Sequence, residues 1–592
     1  MSKKAPSSTW IGRERRHQTS VEIRKRGREA RVAAERSGGN IPPELPIHPE
    51  ELAQLKRFGI PQLLDDFRSG STSILRATMA TRKLLSLERE SDGLIDKMIA
   101  LGLISELCKA LDRNDSPRLQ FEAIWGLTNA SLIRPEVVVR SGALPKIVQL
   151  LDSPSIPLRE QCLWALGNIM TKSVAYRNAC VELGALIKIR SLLIHTHTLT
   201  NAQYEAIAKV QIPDSLSLVM QGIASIPISR LNFLRQATWA MSSTIRGGDS
   251  SDETYREVSV SLPTLRDLIL TSDDPHIVAN TIWIFADFSE KRPRAILELG
   301  VTDRILELGL HAHGTVQAAA GQCISNLCLG DSQSLRALMI SRHADLILIS
   351  HLRSERDQLW VTASWTLSYV CFNLTKTCER LIPHLDIFLE RLVDSSIRSE
   401  IRQDCACLIS LILSTEAGRG LLLSSEKPLE ILINTLSTEI ERDFDLAGRV
   451  VQCAVNLLTL GGPTFAHAFE ERGGFRSLER IENFYLHSQH SHDSVLKAAL
   501  ESYDTYYNGE YETEDIDIID NANLIVQQNI LTNSDHPPVH PNLPAQTSSP
   551  YQFQLSNSHR APLPPASPMI RADQKKSQHN IDRVNFQSFM KD

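Results

Sequence analysis

Two phrases of the sequence, LQFEAIWGLTNAS at residues 119–131 and EQCLWALGNI at residues 160–169, decide the fold. Both have the apolar texture of buried helices, and their tryptophans, Trp125 and Trp164, lie 39 residues apart. Related phrases place Trp239, Trp283, Gln322, Trp365 and Cys407 at the same position, with further spacings of 75, 44, 39, 43 and 42 residues. A helical repeat of about 42 residues therefore runs through the middle of the chain.

A glycine-led phrase comes before each of these helices. ALGLISELCKAL, RSGALPKIVQLL and ELGALIKIRSLL carry Gly102, Gly142 and Gly184, which are spaced 40 and 42 residues apart. A helical repeat of this length predicts an all-α solenoid of the armadillo or HEAT kind, in which stacked units bury one continuous core. About ten units fit between residues 72 and 505, and the 75-residue spacing predicts an insertion near residues 191–222.

The two ends of the chain differ from this array in composition. Residues 1–36 contain eleven Lys and Arg against four Glu, a net charge of +7, so the other 556 residues carry −13. Nine prolines lie between Pro537 and Pro568 among polar residues, a composition typical of disorder. We therefore predict a basic arm (1–40), a linker (41–70), the repeat array (71–510) and an acidic, then Pro/Ser-rich, disordered tail (511–592).

The sequence contains no pattern that indicates an enzyme. No P-loop, GxGxxG, HExxH or GxSxG stands in a fitting context, and the cysteines and histidines form no convincing metal site, so we expect no cofactor. No uncharged apolar run is long enough to span a membrane, and the N-terminus has no apolar core typical of a secretory signal. These features predict an intracellular binding protein with reduced cysteines.

A polar side chain follows most of the repeated tryptophans by one helical turn. The residues at this position are Asn129, Asn168, Ser243, Asp287, Asn326 and Tyr369. One interpretation is that the tryptophans are ordinary core residues. The other is a ladder on the concave face of the solenoid, where asparagine amides hold an extended peptide and parallel indoles accept the stems of Lys or Arg. The repetition of the pattern favours the ladder.

These residues resemble the importin-α family, armadillo adaptors that carry nuclear-localisation-signal cargo. RATMATRKLLSLE (76–88), SGALPKIVQLL (141–151) and the two phrases quoted first are similar to the first repeats of that family. The arm RERRHQTSVEIRKRGREARVAAER (13–36) resembles its importin-β-binding domain. The resemblance covers residues 10–510 and implies a right-handed armadillo superhelix that shuttles between cytoplasm and nucleus.

The resemblance also implies roles for individual residues. The major cargo groove would use Trp125, Asn129, Gln161, Trp164, Asn168 and Trp239, and the minor groove Trp283, Asn326, Trp365 and Asp404. Importin-β would bind Arg13, Arg15, Arg16, Arg24, Lys25, Arg26, Arg28 and Arg31. The segment 499–520 would contact the export receptor that recycles the adaptor, and nuclear pore proteins would be indirect partners.

The chain departs from the family pattern at several of these positions. Lys172 stands where the family has the aspartate that binds the key cargo lysine, so a cation replaces an anion. Other departures are Ile133, Ser243, Thr362, Tyr369, Cys407 and Leu411. The arm also lacks the terminal Lys-Arg-Arg cluster and keeps only Arg36 there. We therefore expect weaker or altered signal binding and weak autoinhibition.

Two other functions remain open at this stage. The chain could be an armadillo scaffold that has lost import duty and joins proteins at the nuclear envelope, cytoskeleton or proteasome. Nucleic-acid binding through the arm is less favoured, because the arm lacks interleaved aromatic residues and the body is acidic. We accordingly expect neither nucleic acid nor a membrane among the partners.

Overall fold

The computed structural model describes ten stretches of the chain between residues 59 and 487. They are 59–69, 71–87, 93–211, 229–246, 250–330, 333–373, 375–413, 415–424, 427–439 and 444–487. The predicted basic arm, with its importin-β-binding residues, and the predicted tail lie outside the described residues, as does the segment 499–520.

Groups of three helices recur along the described residues. Helices α1 (Gly59–Arg68) and α2 (Ser71–Leu87) form a partial first unit. The next four units are α3 to α5 (Leu94–Ala100, Leu103–Ala110, Pro117–Ile133), α6 to α8 (Pro135–Arg140, Ala143–Leu150, Ile156–Met170), α9 to α12 (Val174–Glu182, Ala185–Thr198, Asn201–Gln211, Arg230–Ile245) and α13 to α15 (Asp252–Ser259, Leu262–Thr271, Pro275–Lys291).

Four more units and a final helix complete the described array. They are α16 to α18 (Pro293–Glu298, Thr302–Leu308, Gly314–Cys328), α19 to α21 (Gln333–Ser341, Ala344–His351, Asp357–Asn373), α22 to α24 (Thr375–Leu381, Leu385–Val393, Ser399–Leu413, with a 3₁₀ turn at Ile382–His384), α25 to α27 (Glu416–Ser424, Lys427–Glu439, Phe444–Glu471) and α28 (Gly474–His487). The fourth of the nine units differs from the rest because it has an extra helix, α11.

The last long helix of each unit, here called the third helix, packs against the third helices of the units before and after it. These helices are α2, α5, α8, α12, α15, α18, α21, α24 and α27. Helix α5, for example, is buried without interruption from Leu119 to Ser131. The second helices are amphipathic instead: α7 buries Ala143, Leu144, Ile147 and Val148 and exposes its other face.

This arrangement confirms the predicted all-α armadillo solenoid. Each unit buries its third helix only between two others, so the core is one continuous cluster along the described array. The second helices are also linked between units. Lys146 donates to Asp112 (2.6 Å) and to the Cys108 carbonyl, and one repeat later Lys188 donates to Asp152 (2.5 Å) and to the Val148 carbonyl.

The glycines that lead the repeated phrases, and Gly300 in a later repeat, lie at the corner between the first and second helices of their units. Gly102, Gly142, Gly184 and Gly300 have φ between 73° and 81°, the left-handed region that side chains disfavour. A Cβ at Gly102, Gly142 or Gly184 would meet no atom within 4 Å, so the backbone conformation, not crowding, requires glycine there. His343 occupies the same corner in its own repeat with φ 64°.

The extra helix lies within the range predicted for the insertion, near residues 191–222. Helix α10 has 14 residues, against eight in each of the second helices α4 and α7, so the additional residues begin in the last part of α10 and continue into α11. Helix α11 (Asn201–Gln211) starts with a capping box, because the Gln203 side chain accepts from the Thr200 amide at 2.8 Å and Thr200 Oγ1 accepts from the Gln203 amide at 3.2 Å. No helix of the described residues has the length and apolar character that a membrane span needs.

We expect Gly142→Ala to lower the free energy of unfolding by about 1–2 kcal/mol, because alanine must adopt the left-handed conformation. Gly420→Ala is the matched control. Gly420 is exposed in α25, has no positive φ, and has open space where a Cβ would lie. The control should be neutral or stabilising by up to about 1 kcal/mol. Urea denaturation of both variants measures the difference, and equal effects would contradict a conformational role for Gly142.

Candidate ligand-binding row on the third helices

The predicted ladder residues lie in the same register on successive third helices. Trp125 and Asn129 lie on α5, Trp164 and Asn168 on α8, Trp239 on α12, Trp283 on α15, Asn326 on α18, Trp365 on α21, and Asp404 on α24. We call this set the third-helix row. Its side chains are largely enclosed between helices. Trp125 is only 2% exposed and Trp164 8%, whereas Trp239 and Trp365 are half-buried.

The first tryptophan of the row already has a cation from its own chain. The Arg82 guanidinium carbon lies 4.1 Å from the centroid of the Trp125 ring. Arg82 is held there by an ion pair with Glu122, whose Oε2 accepts from Nε at 2.6 Å, and both residues are buried. Phe121 packs edge-on against the same indole, with ring centroids 5.7 Å apart. Trp125 is therefore nearer to a core residue than its predicted role suggests.

Trp239 lies in a niche that only glycine leaves open. A Cβ at Gly167 of α8 would lie 2.2 Å from Trp239 Nε1, so the indole packs directly on the helix backbone between Trp164 and Asn168. The Arg246 guanidinium carbon lies 5.5 Å from the ring centroid of Trp239. Gly167 thus positions Trp239 in the row. Sequence reasoning did not single it out, although it directly precedes the asparagine in WALGN.

The asparagines of the row connect neighbouring repeats. The Asn168 side-chain amide donates to the Thr128 carbonyl at 3.4 Å, and the Asn326 amide donates to the Ala286 carbonyl at 2.8 Å. Asn129 makes the corresponding bond to the Arg82 carbonyl at 3.5 Å. One amide N–H is thus used within the fold, and the side-chain oxygen is the acceptor that a ligand could use. In Asn326 that oxygen already accepts from Gln322 Nε2 at 3.0 Å.

Trp164 is the row tryptophan best suited to an external cation. Among the described residues no cation lies over its ring, in contrast to Trp125 and Trp239. Three residues before Trp164, Gln161 is buried, and its Oε1 has no hydrogen-bond partner within the described array. Gln236 holds the equivalent position before Trp239, and its Oε1 is also buried without a partner. Two amide oxygens on adjacent third helices therefore lack a donor.

In the later part of the row, on α21 and α24, the acidic side chain is hydrogen-bonded within the protein. Asp404 Oδ2 accepts from Ser364 Oγ at 2.9 Å, and both residues are buried. Thr362, which is buried, stands on α21 where the family pattern has an acid. Cys407 and the buried Leu411 stand on α24 where that pattern has tryptophan and asparagine. The predicted minor groove thus contains one carboxylate on α24 and apolar or hydroxyl groups around it.

Lys172 lies directly beyond the end of α8. The helix ends at Met170, Thr171 caps it, and the Lys172 side chain is exposed. The cation therefore lies at the end of α8 that is nearer to Asn168. No group of three His, Cys, Asp or Glu side chains among the described residues could hold a metal ion.

A buried acid lies near the start of the same helix. Glu160 is 9% exposed, and no hydrogen bond or ion pair of its side chain exists within the described residues. Burial alone raises the pKa of its carboxyl to about 7. An acid whose pKa is higher in the folded than in the unfolded state binds protons preferentially in the folded state. It therefore favours folding least when it is ionised, and stability falls as the pH rises from about 4.5 through 7.

We expect Glu160→Gln to raise the melting temperature at pH 8 and to change it little at pH 4.5. Glutamine keeps the size of the side chain and removes the buried charge, which is worth up to about 3 kcal/mol above pH 7. Thermal melts of both proteins across this pH range measure the effect. Glu205→Gln, which changes an exposed acid on α11, should show no such pH dependence. A lower melting temperature for Glu160→Gln at pH 8 would contradict an unpaired buried carboxylate.

Comparison with known proteins agrees with this architecture. A family model described as Armadillo/beta-catenin-like repeat matches residues 91–132 and 134–171, the two units that contain Trp125 and Trp164. Among solved structures, the crystal structure of an engineered protein is similar with a TM-score of 0.57 and 18% sequence identity. The match covers 76% of this chain and 98% of that protein, and it supports the fold alone.

The curated relatives, whose sequence identity to this chain is higher than that of the engineered protein, are importin-α subunits. Importin subunit alpha-1b of Oryza sativa subsp. japonica is 30% identical over 53% of each chain. Importin subunit alpha-2 of Arabidopsis thaliana is 32% identical over 51% of this chain and 52% of its own. Importin subunit alpha-1a of Oryza sativa subsp. japonica is 29% identical over 61% of this chain and 63% of its own.

The chain thus spans between 52% and 63% of the length of these relatives. The matches confirm the predicted resemblance to the importin-α family.

Proposed function

We propose that this chain, a divergent armadillo-repeat relative of the importin-α subunits, is a nuclear import adaptor. It binds the basic localisation signals of cargo on the third-helix row and importin-β through its N-terminal arm, and it moves between cytoplasm and nucleus. A nuclear export receptor returns it after the cargo is released, and contact with nuclear pore proteins is indirect.

The observation that carries the proposal is the stretch of the row from Trp164 to Trp239. Gly167 admits the Trp239 indole beside Trp164, so two indoles and Asn168 lie together on adjacent third helices. The buried oxygens of Gln161 and Gln236 lack donors beside them. Aromatic faces and acceptors together favour a ligand rich in Lys or Arg. Because Arg82 already covers the ring of Trp125, we infer that the stretch from Trp164 to Trp239 contributes most of the affinity for the ligand.

We expect Lys172→Asp to tighten the binding of a lysine-rich localisation-signal peptide about five- to tenfold. The change replaces a repulsive charge near the peptide by an attractive one, and the effect is limited because the side chain is exposed. Fluorescence anisotropy with a labelled peptide measures the affinity.

Two variants control this measurement. Lys97→Asp makes the same charge change at an exposed residue of α3, which is not a third helix, and should leave the affinity within twofold. Trp164→Ala should weaken binding at least tenfold, because it removes an indole over which no cation of the described residues lies. Unchanged affinity in both Lys172→Asp and Trp164→Ala would rule out cargo binding on the row and favour the armadillo scaffold.

For the arm, we expect the full chain to retain importin-β in a pull-down and the double variant Arg24→Ala, Lys25→Ala to lose it. The arm is basic against an acidic body, and removing two cations weakens its attraction to an acidic partner surface. Lys3→Ala, Lys4→Ala removes the same charge outside the proposed binding residues and should retain importin-β. Equal losses in both double variants would mean that only net charge matters, and no retention by the intact chain would end the adaptor proposal.

A further inference from the structure

An arginine of the chain itself lies against the later part of the row. Arg336 belongs to α19, the first helix of its unit. Tyr369 follows Trp365 on α21 by one helical turn, the position that Asn168 holds on α8. The Arg336 guanidinium carbon lies 5.2 Å from the centroid of the Tyr369 ring, and Nη1 donates to the Tyr369 hydroxyl oxygen at 3.4 Å. On α21, therefore, the aromatic side chain at this position already has a cation over it.

The end of α18 holds this cation in place. Arg336 Nη1 also donates to the Gly330 carbonyl at 2.8 Å, just beyond the last turn of α18. The C-terminal end of a helix carries partial negative charge, which makes a guanidinium favourable there. Arg336 and Tyr369 are both half-buried rather than sealed in the core. A ligand that follows the row to α21 would therefore meet a fixed positive charge.

The neighbouring polar groups of the later row are also used within the protein. The Asn326 amide donates to the Ala286 carbonyl at 2.8 Å, and its oxygen accepts from Gln322 at 3.0 Å. On α24, Asp404 accepts from Ser364 at 2.9 Å. A basic ligand on α18 to α24 would have to compete with these internal partners, and at α21 the internal guanidinium would repel it.

The stretch at Trp164 differs in both respects. No cation of the described residues lies over its ring, and the side-chain oxygen of Asn168 accepts no hydrogen bond within the described array. A basic residue of a ligand can bind there without displacing a side chain of the chain itself. Lys172 is exposed beyond the end of α8, so water and salt screen its charge more than that of the half-buried Arg336. The row is thus more open at α8 than at α21.

We propose that Arg336 is a specificity-determining residue, which occupies the row at Tyr369 in place of a ligand cation. The chain consequently recognises peptides with one basic cluster and gains no affinity from a second cluster. The single cluster binds the stretch from Trp164 to Trp239, and the predicted minor groove takes none. This inference rests on the proposed function and names its class of ligand.

The test uses the full chain and labelled peptides of two kinds. One has a single lysine-rich cluster, and the other joins the same cluster to a second one through a neutral spacer of about 14 residues, in either order. Helices α8 and α21 are four third-helix steps apart, about 32–40 Å, which such a spacer spans when extended. Linkage of two clusters that both bind raises the affinity by about a hundredfold or more. We expect the wild type to bind all these peptides within threefold of one another.

Variants of Arg336 identify the cause. Arg336→Gln together with Tyr369→Asn should bind the two-cluster peptides at least fivefold more tightly than wild type does, and the one-cluster peptide within twofold. Arg336→Lys keeps the charge and should behave as wild type, which separates repulsion from lost packing. Arg342→Gln is the matched control, because it removes a cation just beyond α19, where Arg342 pairs with Asp303 at 2.6 Å, and should stay within twofold for every peptide. Thermal melts show which variants remain folded.

The possible results separate this inference from the proposed function. A wild type that binds a two-cluster peptide more than threefold more tightly than the one-cluster peptide overturns the inference and leaves the adaptor proposal standing. A folded double variant whose gain stays below fivefold does the same, as does an equal gain in Arg342→Gln, which would mean that only net charge matters. If the wild type binds no peptide of either kind, both are wrong.

Discussion

The contact between successive third helices is the constraint on which the rest of the structure depends. Each third helix is buried on both sides by its neighbours, as the unbroken burial of Leu119 to Ser131 on α5 illustrates. A single repeat exposes this surface and cannot be stable alone. Because the contact must recur in every unit, it also imposes a common register. The same side-chain position is therefore presented again and again, and a linear row of similar groups results.

The residues of that row connect neighbouring repeats, and in the proposed function the same residues recognise the ligand. The amides of Asn168 and Asn326 donate to carbonyls of the preceding third helix, so they hold repeats together before any ligand binds. The tryptophan rings of the row also differ in what lies over them. Arg82 covers Trp125, whereas no cation of the described residues lies over Trp164. A row that satisfies part of its own hydrogen bonds and cation sites binds a ligand only where groups remain open. In this chain, Gln161 and Gln236 carry buried amide oxygens that have no hydrogen-bond partner among the described residues.

Charge is distributed unevenly along α8. Lys172 puts a cation beyond one end of the helix, and Glu160 leaves an unpaired acid near the other. Next to α8, the insertion helix α11 begins with its own capping box, and Arg230 at the start of α12 donates to the Thr196 carbonyl at the end of α10. The free energy of an unpaired buried carboxylate is unfavourable in the isolated protein.

The period of the sequence was sufficient to predict the solenoid, because helical stacking requires the same apolar positions in each repeat. The glycine corners and the row of Trp125, Trp164, Trp239, Trp283 and Trp365 follow from that register alone. The sequence could not reveal that Arg82 covers Trp125 or that Trp239 packs on Gly167. These pairs are separated by about forty to seventy residues and by helix boundaries. Only packing decides which side chains meet across such distances, since contact depends on the angles between helices rather than on their order.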